Sequence, residues 1–158
     1  MKTFGKNCDI LAPVSGKVVD ITEVPDKIFA GKMAGEGVAI LAEGDVVIAP
    51  VEGVVSLIFE SNHAIAISLD NGVELLIHVG IDTVELGGQG FTRLVEEGQK
   101  VKIGAPLLKI DRDFIIEKGY SMITPVIITN PQVLKKMEAN TGINAIGGQD
   151  IILNCRVK

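Results

Sequence analysis

The sequence predicts an all-β fold, an antiparallel β-sandwich or barrel-sandwich hybrid with one or two short peripheral helices. Three observations carry that expectation: short Val/Ile-rich runs split by turn residues, 18 glycines beside few aromatics, and an internal repeat. The runs Lys17–Ile21, Val38–Leu41, Val54–Phe59 and Lys100–Ile103 are too short for helices and rich in β-branched residues, which suits strands. The repeat sets Ile10-Leu11-Ala12-Pro13-Val14-Ser15-Gly16-Lys17-Val18 against Val47-Ile48-Ala49-Pro50-Val51-Glu52-Gly53-Val54-Val55, 37 residues later, with a fainter echo at Ile123–Ile127. Each unit reads as strand, proline-started turn, strand, with the proline placed where it breaks no ladder. Two copies are too few for a solenoid and point instead to related hairpins within one sandwich. Two helices are expected: Arg112–Lys118, capped by Asp111 and stopped by Gly119, and Gln132–Ala139, opened by Asn130 with Pro131 at its first position.

At 158 residues, with 47% hydrophobic and 22% charged side chains, the chain suits one compact domain over residues 1–158, with about 1–9 expected to be flexible. The net charge of −5 argues against nucleic acid or anionic lipid as the main partner and favours a basic protein. The longest stretch without a charge, Gly119–Leu134, contains Pro125 and Pro131 and falls short of a bilayer span, so no direct membrane insertion is expected. Lys2 and Lys6 are followed by no long apolar run, so no secretory signal is read and a cytoplasmic location is expected. Cys8 and Cys155 stand near opposite ends without metal-ligand spacing; reduced, non-catalytic thiols are the expectation, with a bridge between the two ends as the lesser alternative.

The two histidines, His63 and His78, flank a hairpin signal: a β-like run His63–Leu69, then Asp70-Asn71-Gly72, then Val73–Val79. A two-residue type I′ loop at Asn71-Gly72 puts Asp70 opposite Val73, His63 opposite Gly80 and His78 opposite Ile65. The two imidazoles are then diagonal neighbours on one face, with Cβ atoms ~7–8 Å apart or less. Parity decides the matter: a three-residue loop sends the rings to opposite faces unless a bulge intervenes.

Two facing imidazoles suit phosphoryl transfer. A neutral imidazole nitrogen is a competent nucleophile near pH 7, and the second ring can donate to phosphoryl oxygens as geometry and charge change. Ser61 and Thr83 can supply hydroxyl donors, and Asp82 can help select a basic donor protein. A structural use of either histidine, and a zinc site built on the pair, stay open; no HExxH helix is present and no third ligand is fixed by spacing.

The segment Gly72–Val84, containing Ile77-His78-Val79-Gly80-Ile81-Asp82-Thr83, resembles the active-histidine signature of the glucose-type IIA proteins of the bacterial sugar phosphotransferase system, and Phe59-Glu60-Ser61-Asn62-His63-Ala64 resembles their second-histidine segment. The similarity runs from about Ile10 to the C-terminus and includes Val24–Ala30 and Thr124–Asn130. It implies an antiparallel β-sandwich and a phosphotransferase relay with a phosphohistidine intermediate and no cofactor. His78 would accept a phosphoryl group from HPr, itself charged from phosphoenolpyruvate through enzyme I, and pass it to a cysteine of a IIB domain of a sugar permease. His63 would stabilise the group without carrying it, helped by Ser61, Thr83, Gly80 and Asp82. Ser61 stands where the family commonly has Thr, and Ala66 and Leu76 replace larger aromatics.

The resemblance also implies a shallow apolar docking face at Ile28, Phe29, Met33, Phe59, Leu76 and Val84. Some relatives bind regulatory target proteins and share zinc with a partner carboxylate, which would place zinc at His63 and His78. The runner-up is a biotinyl or lipoyl carrier, whose glycine-turn strand rhythm Glu96–Leu108 resembles. Such a carrier presents its lysine at a hairpin tip. The clear tip at Asn71-Gly72 has none, and Lys32-Met33 lacks the full biotinylation pattern.

Overall fold

The computed structural model describes residues 7–158. Strands β1 (Asn7–Leu11) and β2 (Gly16–Asp20) flank the first Ala-Pro turn, and a 3₁₀ turn (Ile21–Glu23) and the one-turn helix α1 (Lys27–Ala30) lead to β3 (Glu36–Ala42). Strands β4 (Val46–Ile48) and β5 (Gly53–Ile58) flank the second Ala-Pro turn, and β6 (Ala64–Ser68) and β7 (Glu74–His78) form a hairpin. A 3₁₀ turn (Thr83–Leu86), β8 (Phe91–Arg93), β9 (Lys100–Val101), β10 (Pro106–Ile110) and helix α2 (Arg112–Glu117) follow. Then come β11 (Ile123–Ile128), a 3₁₀ turn (Pro131–Val133), β12 (Leu134–Ala139), β13 (Asn144–Ala145) and β14 (Ile151–Val157). The strands assemble into an eight-stranded sheet, β13-β2-β3-β11-β7-β6-β5-β9, and two three-stranded sheets, β1-β14-β12 and β4-β10-β8. All pairings are antiparallel, as the all-β expectation requires.

The repeat organises the backbone. Leu11 N–H donates to the Pro50 carbonyl at 3.0 Å, and its counterpart Ile48 N–H donates to the Pro13 carbonyl at 2.9 Å. Val18 N–H reaches the Ile143 carbonyl and Val55 N–H the Gln99 carbonyl, both at 2.9 Å. Strand β13 pairs with β2 as β9 pairs with β5. Each half therefore contributes a turn to the other and receives an edge strand of its own.

The main core lies between the sheets and is built from Val18, Val38, Ile40, Val55, Ile65, Ile67, Leu75, Ile77, Leu107, Leu108 and their neighbours. On the opposite face of β2, β3 and β11, Val19, Ala39 and Ile127 pack with Ile21, Val24 and Phe29 of the β2–β3 connection, and with Ile81, in a second, smaller cluster. Period-2 alternation along β2 sends Val18 to one cluster and Val19 to the other.

Three expectations are corrected. Helix α2 forms with Asp111 accepting from Phe114 N–H, but Gln132–Ala139 is no helix. Pro131 opens only a 3₁₀ turn, and Leu134–Ala139 pairs with β14 as an edge strand. The tip of the β6–β7 hairpin has three residues: Leu69 N–H donates to Val73 O, Gly72 N–H to Leu69 O, and Gly72 has φ of +94°. Asn71 keeps negative φ, so the type I′ turn does not form. Of the segment expected to be flexible, Asn7–Asp9 belong to β1, paired with β14, while residues 1–6 lie outside the described residues.

Candidate active site

The three-residue tip sets Ala64 opposite His78 and Ile65 opposite Ile77. This register assigns the two histidine side chains to opposite faces, contrary to the diagonal pairing expected from the sequence. The rings nevertheless meet, with centroids 4.9 Å apart and planes at 85°. His63 lies one residue before β6, in a turn where Asn62 adopts φ of +59° and Asn62 N–H donates to Phe59 O. The His63 carbonyl still accepts from Val79 N–H at 2.8 Å, so the chain leaves the sheet at Asn62, and the two rings meet at this end of the hairpin.

Each ring leans on a different core. His78 shares the face of Leu76, whose partner Ile127 belongs to the small cluster, and Phe29 lies against the imidazole at a centroid distance of 4.9 Å. His63 is 2% exposed and sits edge-on to Phe59 at 5.3 Å and Phe91 at 6.5 Å, the latter part of the main core.

The protonation pattern follows from these surroundings. His78 Nδ1–H donates to the Gly80 carbonyl at 2.9 Å, an assignment made from the geometry, so Nε2 keeps the lone pair. Burial pushes the His78 pKa down, opposed by the Gly80 carbonyl and the carboxylates of Asp26 and Asp82. Burial, reinforced by His78, lowers His63 to about 4. Both rings are therefore neutral at pH 7. His63 Nδ1 is buried with no hydrogen-bond partner among the described residues.

Gly80 turns the chain with φ of +75°, and a Cβ there would stand 2.6 Å from Thr83 Cγ2 and 2.8 Å from Ser121 O. The buried Thr83 hydroxyl donates to Val79 O at 2.5 Å, so its proton is committed to holding this loop. Asp82 is exposed with φ of +61°, and Ser61 is half-buried in the turn before His63. Of the residues expected at the docking face, Ile28 (54% exposed), Met33 (77%) and Val84 (54%) present apolar surface to solvent, and Leu76 and Phe59 are half-buried. Phe29 is only 7% exposed and serves as a platform for His78 rather than as free surface.

Two contributors escaped the sequence reading. Arg93 Nε donates to Asn62 Oδ1 at 2.7 Å and braces the turn that delivers His63. Asp26 caps α1 by accepting from Ile28 N–H, which places both its carboxylate and Phe29 beside His78; Pro25-Asp26 was the available signal. Nothing local in sequence joins Arg93 to Asn62. Among the described residues no group of three or more His, Cys, Asp or Glu is placed to hold a metal, so an ion at His63 and His78 would need a partner's ligand.

Residues 8–134 match the family model described as phosphoenolpyruvate-dependent sugar phosphotransferase system, EIIA 1. The chain belongs to that family. It is 44% identical over 149 residues to the glucose-specific EIIA component of Bacillus anthracis, covering 94% of this chain and 90% of that protein. Against the mannose-specific EIIBCA component of Corynebacterium glutamicum it is 48% identical over 134 residues, 85% of this chain but 20% of that longer protein. The solved structure of glucose permease IIA from Mycoplasma capricolum superimposes with a TM-score of 0.86 at 34% identity, covering 97% of this chain and 99% of that one. The resemblance to glucose-type IIA proteins and the sandwich fold are thereby borne out. At the level of the family so is a phosphotransferase component of sugar uptake, with HPr as donor and a IIB domain as acceptor. The carrier alternative falls with this match: in the IIA fold Lys100–Val101 is an edge strand, the counterpart of β13. No helix among the described residues is long and apolar enough to cross a membrane.

Proposed function

We propose that His78 Nε2 carries the phosphoryl group and that His63 steadies it. The observation that carries this reading is the pair of neutral rings in contact, with the Nδ1 of His78 tied to Gly80 and its Nε2 left free. In the first transfer the Nε2 lone pair attacks the phosphorus of phospho-HPr. The new N–P bond forms as the old one breaks, and the electron pair returns to the donor imidazole. The His78 ring gains positive character, which its Nδ1–H passes in part to the Gly80 carbonyl. In the second transfer a IIB cysteine thiolate attacks the same phosphorus, and Nε2 recovers its lone pair.

A neutral His63 holds its proton better on Nε2, because burying an unpartnered lone pair at Nδ1 costs less than burying an unpartnered N–H. That places an Nε2–H donor for the phosphoryl oxygens. Ser61 supplies a hydroxyl as the second donor, Gly80 and Thr83 shape the loop, and Asp82 favours a basic partner. Ile28, Met33 and Val84 form the docking rim with Phe59 and Leu76 at its edge, an area suited to a transient contact near or below ~1,200 Å².

Incubation with phosphoenolpyruvate, enzyme I and HPr tests the assignment. An acid-labile phosphoryl adduct on the wild-type chain, absent from His78→Ala, is the expected result. An adduct that survives in His78→Ala would place the carrier elsewhere.

A further inference from the structure

Cys8 and Cys155 are 147 positions apart in the chain, yet they are direct partners in the β1–β14 ladder, between the pairs Asn7↔Arg156 and Asp9↔Asn154 and before the register shift at Ile10/Leu11. Directly opposed residues of an antiparallel pair point to the same face with Cα atoms ~4.5–5.5 Å apart, inside the ~4.4–6.8 Å range that a disulfide spans. The thiols are free and within hydrogen-bonding reach of each other. Cys8 is partly exposed and Cys155 fully buried. The pair also lies beside Asn71, at the tip of the β6–β7 hairpin and so at the end away from His78. The proposed phosphoryl chemistry uses neither thiol.

We propose that Cys8 and Cys155 form a two-cysteine oxidation site, in which a hydroperoxide converts the pair to a disulfide joining β1 to β14. Cys8 is the attacking thiol because it is the one solvent reaches. The hydrogen bond from Cys155, chiefly, lowers its pKa to about 7 against the opposing effects of burial and Asp9, while Cys155 is raised. The Cys8 thiolate attacks the terminal oxygen of the hydroperoxide, the O–O bond breaks, and the leaving alkoxide takes up a proton as the alcohol. Cys8 is then a sulfenic acid. The Cys155 sulfur attacks the Cys8 sulfur and gives up its proton, the S–O bond breaks, and water leaves. Two thiols lose two electrons, and the hydroperoxide is reduced to alcohol and water.

The test is exposure of the purified chain to equimolar hydrogen peroxide at pH 7, followed by intact mass measurement and a non-reducing peptide map. The expected result is loss of two hydrogens and one cross-linked species joining the Cys8 and Cys155 peptides, undone by a thiol reductant. Cys155→Ala should accumulate a dimedone-trappable sulfenic acid at Cys8, and Cys8→Ala should consume peroxide roughly tenfold more slowly. Survival of both thiols would overturn the proposal. So would sulfinic acid or intermolecular dimers in the wild-type map without the Cys8–Cys155 peptide, a readout that needs neither variant to fold.

Discussion

At the Ala12-Pro13 and Ala49-Pro50 turns the two copies of the repeat are interchangeable. Ala12 N–H donates to Asp150 O where Ala49 N–H donates to Ala105 O, and Gly148 N–H returns to Ala12 O where Gly104 N–H returns to Ala49 O. At the other ends of β2 and β5 the copies part. After β2 the chain runs from Ile21 to Gly35, through α1, before β3 begins; after β5 a tight turn from Phe59 to His63 leads straight into β6. The long connection brings Phe29 along with the exposed Ile28 and Met33, the short one brings His63, and Phe29 and His63 both converge on His78. Matched backbone builds the frame, and the candidate chemistry sits where the match lapses, in segments the frame leaves free to differ.

The largest expected effect breaks the matched end. A Cβ on Gly16 would stand 2.1 Å from Leu41 O, and on Gly53 2.6 Å from Ile67 Cγ2 and Ser68 O. Gly16→Ala and Gly53→Ala should each destabilise the fold by more than about 3 kcal/mol, measured by denaturant unfolding. A loss confined to one copy would show that the halves are not equivalent.

The next effects belong to the divergent end. His63→Ala should still take phosphate from HPr but pass it to a IIB domain roughly 100-fold more slowly in single-turnover transfer; unchanged transfer would remove its assigned role. Arg93→Met, which keeps the aliphatic stem but frees Asn62, should slow the same step about tenfold with the unfolding midpoint nearly unchanged. The smallest is a pH effect. With its pKa near 4 when folded against the ordinary histidine value of 6.5, His63 binds its proton more readily in the unfolded chain, so stability is fully present above pH 6.5 and is lost as pH falls toward 4. Its share of the loss between pH 7 and pH 5.5 is about 1 kcal/mol, and it should vanish from the pH–stability profile of His63→Ala.

Much of the frame was legible because its signals are local. The β-branched runs became β2, β3, β5 and β9, and Asp111 and Gly119 bounded α2 as expected. Gln132–Ala139 misled for a physical reason. In the edge strand β12 the half-buried residues are Leu134 and Met137, three apart, so half-exposure and the register shift at Leu134/Lys136 imitate a helical period. The hairpin misled because Asn-Gly favours a two-residue loop, whereas Asp70 joins this turn and moves the register by one. The expected meeting of the imidazoles held by another route, the departure of Asn62 from the sheet. Arg93 was beyond reach because its partner is 31 residues away and neither residue type announces the contact.

His63 is set in the main body through Phe91, whereas His78 rests against Phe29 in the layer formed by Ile21, Val24 and Ile81. The pair thus bridges a seam between a thick block and a thin flap. Amides of the flap should exchange with deuterium sooner than those of the block. Mild warming would then part the imidazoles while most of the molecule stays folded, and the catalyst would fail before the scaffold does.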